Sequence, residues 1–143
     1  MKKFFYKRFY LVIFILFFNI SAKSENNFLN DGIKLFNSQK FKESQIKFEK
    51  DIVFNPKSEK SYLYLAKIFK EKNKTLLEEN NLNTVLLLNP KNEEAIYMLT
   101  LLSIKKSNFS KSKELINKLN SVCNNFCNKI KELENKLKNS LKQ

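Results

Sequence analysis

Apolar residues recur along this chain at helical spacing, in paired blocks separated by short polar steps such as NSQK, EKNK and KKSN. Two stretches, FNPKSEKSYLYLA (54–66) and LNPKNEEAIYMLT (88–100), repeat one pattern: an apolar residue, Asn-Pro-Lys, a polar step, an acid, then an apolar-rich segment. The only two prolines, Pro56 and Pro90, fall at the same point in each, which sets a period of 34 residues. Units starting at Glu25, Glu59 and Glu93 align Phe28, Tyr62 and Ile96 at the fourth position. They also align Phe48, Leu82 and Ile116 at the twenty-fourth, and Phe54, Leu88 and Val122 at the thirtieth. The thirty-second position holds Pro56, Pro90 and Asn124. Each unit, 25–58, 59–92 and 93–126, therefore predicts helix, tight turn, helix. Asn-Pro closes the second helix, because proline cannot continue one and pushes the preceding residue out of helical geometry.

A different pattern precedes the units. Lys2, Lys3, Lys7 and Arg8 lead into the unbroken apolar run LVIFILFF (11–18), and Ala22-Lys23-Ser24 supplies a small-x-small exit. Residues 1–24 thus read as a secretory signal peptide, cut after Ala22 or Ser24. The run is short for a bilayer span of about 20 residues, but the flanking aromatics can extend it, so an inner-membrane anchor over residues 4–20 is the alternative. Either way the expected location is the periplasm or cell envelope. After the third unit, Ile130, Leu133 and Leu137 stand where a fourth first-helix would place apolar residues, among Lys and Glu. Residues 127–143 are expected to form a capping helix with one polar face, which a stack of repeats needs at its end.

The register resembles that of the tetratricopeptide repeat (TPR) family over residues 25–126. The matches are Phe28, Gly32, Ser44, Phe48 and Pro56 in the first unit, and Tyr62, Leu65, Ala66, Phe69, Leu82 and Pro90 in the second. Leu99, Phe109 and Ser112 carry it in the third. Asp51 and Glu78 depart from it, since both occupy positions where the family has a small residue. The resemblance implies an all-α, right-handed solenoid of about three helix-turn-helix repeats plus the cap. It also implies a concave face lined by the first helix of each unit. By register that face is Asn26, Leu29, Ile33 and Phe36, then Lys60, Leu63, Lys67 and Lys70, then Glu94, Tyr97, Leu101 and Ile104. An apolar floor at each end with lysines between suits a peptide segment with apolar anchors and an acidic group. Leu29 and Ile33 stand where clamping of a terminal carboxylate would need polar side chains, so that subtype is not expected.

Composition narrows the chemistry. The 143 residues contain no His and one Gly, which removes His-based triads, His metal ligands and a Gly-rich phosphate loop. The net charge of +13 comes from lysines dispersed among Glu and Asn, with Arg8 the only arginine, so a nucleic-acid partner is not expected. Cys123 and Cys127 are too few for a structural zinc site. In an oxidising compartment they can close a local disulfide, the alternatives being free thiols or a redox pair. No catalytic constellation and no cofactor site is apparent. The expectation is a non-enzymatic interaction or adaptor module that binds another protein, with a self-assembling envelope protein (a homo-oligomer) or a membrane-surface scaffold as rivals.

Overall fold

The computed structural model describes residues 27–142; the expected leader lies outside them. Among the described residues there are seven α-helices and no strands: α1 (Phe28–Asn37), α2 (Phe41–Phe54), α3 (Glu59–Glu71), α4 (Thr75–Leu88), α5 (Glu93–Lys105), α6 (Phe109–Val122) and α7 (Cys127–Ser140). One hairpin falls within each 34-residue unit, and α7 follows the third. Each helix packs on its predecessor and its successor, the arrangement of a helical repeat solenoid.

The turn within each hairpin has the same geometry. Gln39, Asn73 and Ser107 have φ of 59°, 55° and 56°, and they stand 34 residues apart. Around them the N–H groups of Lys40, Lys74 and Asn108 donate to the carbonyls of Leu35, Phe69 and Ser103, each five residues back. This is the Schellman helix end, in which a left-handed residue lets the chain satisfy carbonyls the helix leaves unpaired. Glycine would adopt that conformation without strain, yet the one glycine of the chain is elsewhere. Gly32 lies inside α1, where a Cβ would stand 2.7 Å from Cε1 of Phe48. Its missing side chain lets the buried Phe48 ring seat against α1.

Between hairpins, the residues before the prolines leave helical geometry (Asn55 φ −133°, Asn89 φ −138°), as steric clash with the proline ring requires. A glutamate at the first position of a unit then reaches the following junction. Oε1 of Glu59 accepts from the side-chain amides of Asn89 (3.1 Å) and Asn92. Oε2 of Glu93 accepts from the backbone N–H groups of Asn125 (2.9 Å) and Phe126 (2.8 Å). Burial alone would raise the Glu93 carboxyl, but the backbone donors of Phe126, Asn124 and Asn125 outweigh it and hold the group below the usual carboxylate range. Asn92 and Asn108 also cap α5 and α6, accepting from the N–H groups of Ala95 (2.8 Å) and Lys111 (3.2 Å).

The core has two parts. The larger joins the second and third hairpins to α7 through aliphatic side chains such as Leu82, Val85, Ile96, Leu99, Leu119, Leu133 and Leu137. The smaller joins the first hairpin to α3 around Phe48, Leu65, Ile68 and Phe69, with Phe36, Phe41 and Tyr64 packed beside them. Asp51, one departure from the repeat pattern, is buried between α2 and α3 and accepts from Oγ of Ser61, which in turn accepts from Oγ of Ser58. That polar chain takes the place of an apolar contact; the equivalent junction one unit later brings Val85 and Ala95 into one apolar cluster.

Candidate functional site: a groove across the first helices

The first helices of successive units define the inner face, and their spacing is uneven. α1 packs on α3, and α5 packs on α7, but α3 and α5 are not in comparable contact. Two clefts open there. One, of about 350 Å³, is lined by residues that include Lys70, Glu71, Glu78, Met98, Leu101 and Lys105. The other, of about 340 Å³, is lined by Phe36, Lys67, Lys70, Glu71, Glu94, Tyr97, Met98 and Phe126. They share Lys70, Glu71 and Met98, so they adjoin across these residues and are together called the groove; the second cleft runs from Phe36 of the first hairpin to Phe126 at the start of the cap.

The twentieth position of each unit explains the gap. Ser44 and Ser112 are small and fully buried, and their hydroxyls donate to carbonyls of Gly32 (2.8 Å) and Asn108 (2.7 Å). Neighbouring first helices close over both. Glu78, the second departure from the repeat pattern, holds that position in the second unit and fills the space with a long side chain that is 5% exposed. Burial pushes its carboxyl above the usual range, against the pull of the Lys70 and Lys105 ammonium groups.

Of the residues expected to line the inner face, Phe36, Lys67, Lys70, Tyr97 and Leu101 do line the groove. Leu63 and Ile104 do not: they are buried in the larger core and line neither cleft. Leu29 and Ile33 pack half-buried on the smaller core, and Lys60 is exposed outside both clefts. The charge expectation also changes. Nζ of Lys67 pairs with Glu94 at 2.8 Å and lies 4.7 Å from the centre of the Tyr64 ring, so it is already committed. Over the whole groove Lys67, Lys70 and Lys105 face Glu71, Glu78 and Glu94, and the charges balance.

The far wall is aromatic. The Tyr97 and Phe126 rings stand 5.6 Å apart, and Oη of Tyr97 donates to Oε1 of Glu132 on α7 at 3.2 Å. Burial and the Glu132 carboxylate together raise the Tyr97 hydroxyl. Hydrogen bonding to Lys129 outweighs burial at Glu132 and lowers that carboxyl. Phe126 was absent from the expected set, although it stands in the C-N-N-F-C turn that places it. Cys123 and Cys127 are joined by a disulfide with Cα atoms 5.2 Å apart, which closes this turn between α6 and α7.

No protein-family model and no curated protein sequence matches the chain. Solved structures do. A tetratricopeptide repeat protein from Parabacteroides merdae superposes with a TM-score of 0.77 at 21% identity, over 87% of this chain and 48% of that one. The present chain thus spans about half the length of that protein. The first TPR of Spaghetti (RPAP3), bound to the HSP90 peptide SRMEEVD, gives 0.74 at 17% identity over 87% of this chain and 100% of that one. The Yersinia enterocolitica type III secretion chaperone SycD, in complex with a peptide of the translocator YopD, gives 0.67 at 13% over 87% and 94%. At these identities the likeness is one of fold: residues 27–142 are folded as a TPR-type helical solenoid of three hairpins closed by a capping helix.

Proposed function

We propose that this chain is an exported, non-catalytic interaction module whose groove captures a segment of a partner protein. The observation that carries the reading is the pair of adjoining clefts between α3 and α5, with Phe36, Tyr97 and Phe126 at one end, Leu101 at the other and Met98 in the floor of both. The partly exposed Phe36, Tyr97, Phe126 and Leu101 in a concave setting provide the anchoring surface on which binding energy concentrates. Support also comes from two proteins of the same fold, whose structures hold an HSP90 peptide and a YopD peptide. The basic, apolar and small-residue order of residues 1–24 supports export to the cell envelope. Binding would be an equilibrium without bond chemistry, and the balanced groove charge replaces the acidic partner that Lys60, Lys67 and Lys70 suggest by register.

Photo-crosslinking tests it. With p-benzoylphenylalanine at Tyr97 or Phe36 in the producing cell, adducts with a common partner segment are expected. The same probe at Leu87, which is 81% exposed on α4, should give none. Capture from Leu87 and not from Tyr97 would move the interaction to the outer face.

A further inference from the structure

We infer that the cleft over Glu78 is a subsite for a long cationic side chain, lysine or arginine, of the segment held in the groove. The inference rests on the groove reading for its occupant and adds the chemistry of one contact. Glu78 is 5% exposed and lines the cleft of about 350 Å³, so its remaining contact with solvent lies through that opening. No donor among the described residues hydrogen-bonds to it or pairs with it, whereas Glu79 beside it is held by both Lys106 (2.5 Å) and Lys111 (3.0 Å). An ionised carboxylate offers only acceptor sites, so what completes it must donate.

The walls select the stem that carries the donor. Met98, Leu101 and Leu102 line the cleft with apolar surface suited to a run of methylenes. Lys70 and Lys105 stand exposed at the rim, with Glu71 between the cleft and its neighbour. The four charged groups sum to zero, and past the two rim lysines, which pull on Glu78 without pairing with it, the charge at the bottom of the cleft is a solvent-touching carboxylate. An acidic side chain would instead be brought against the Glu78 carboxylate. The position is also a local departure: the corresponding Ser44 and Ser112 are short and have their hydroxyls satisfied within the chain.

The test uses the full chain with n-butylguanidinium and butyrate as probes, which share an apolar stem and carry opposite heads. Met98 is one of two methionines, so its labelled methyl gives an assignable NMR signal. Butylguanidinium should shift that signal saturably, and the isosteric Glu78→Gln should weaken its binding roughly tenfold or more, as loss of a charge-assisted contact implies. Butyrate should leave the signal in place. A butyrate response equal to that of butylguanidinium, no saturable response, or a response unchanged by Glu78→Gln would each overturn the subsite. Unaltered circular dichroism of Glu78→Gln keeps a folding defect out of the comparison. Cross-linking at Tyr97 reports on the groove and the Met98 signal on the subsite, so either can fail while the other stands.

Discussion

The two ends of the solenoid are finished differently. At the C-terminal end α7 lays Leu133 and Leu137 into the larger core, a disulfide fixes its start, and Glu93 holds the turn that leads to it. At the N-terminal end α1 buries only Gly32 completely, and nothing among the described residues covers the hairpin as α7 covers the third. Val53 and Phe54 are 73% and 68% exposed there, with Phe54 stacked on Phe28 at 5.7 Å. In a repeat array each unit is stabilised by its own packing and by its neighbours. The first hairpin has one neighbour, and its junction with that neighbour includes the Asp51–Ser61–Ser58 polar chain. Its backbone should open at lower free energy than the rest.

The sharpest contrast comes from emptying each core. Phe48→Ala should cost about 3–5 kcal/mol and Leu99→Ala about 2–5 kcal/mol, both read by urea unfolding. Hydrogen exchange should separate them: Phe48→Ala accelerates amides of α1 and α2 above all, whereas Leu99→Ala accelerates all seven helices. Uniform acceleration by both would mean that the ends do not differ. Reducing the Cys123–Cys127 bond should cost about 2 kcal/mol in the loop-entropy account, since the closed loop is short. Amides of α7 should respond, and those of α1 should not.

Gly32→Ala should destabilise by about 1–2 kcal/mol, because overpacking against Phe48 exceeds the helix-propensity gain of alanine. The Phe48 ring has little room to yield, being stacked on Tyr64 at 5.0 Å. Glu78→Gln should act in the opposite direction. Burial raises the folded-state carboxyl, with Lys70 and Lys105 opposing, so the ionised form disfavours folding at neutral pH. The substitution should therefore stabilise at pH 7 by up to about 1 kcal/mol, the order of one hydrogen bond. Thermal melts should show that gain shrinking as pH falls toward the unfolded glutamate value of about 4.3. Smallest of all, Gln39→Gly should gain about 0.5–1 kcal/mol by relieving a left-handed non-glycine residue, and Asn73→Gly less, since Asn tolerates that region.

Much of this architecture was legible in the spacing of apolar residues. The prolines and the aromatic or aliphatic residues at the fourth and twenty-fourth positions define three hairpins, and the Leu133–Leu137 stripe marks a cap. The turns were not legible, because a left-handed residue is ordinarily announced by glycine, and here Gln, Asn and Ser fill it. Leu63 and Ile104 were misassigned because register alone treats every first-helix position as open. In a stack, some of those positions face the next hairpin. Lys67 was visible as a charge but not as half of a pair, since Glu94 meets it only once α3 and α5 are side by side. Glu78 was visible as a departure from the repeat; that it lines a cleft beside α3 and α5 follows only from the packing.

The glutamate clasps at Glu59 and Glu93 have a mechanical consequence. Each ties the start of one hairpin to the junction at its far end, about 33 residues on, so a load applied to the chain ends passes through side-chain contacts rather than through the helix ladders alone. Under tension a hairpin cannot lengthen until its clasp slips. Extension should then proceed in discrete steps, each releasing roughly 110–120 Å of chain for 34 residues. The first hairpin yields earliest, and the last step falls short because the disulfide withholds the residues between Cys123 and Cys127.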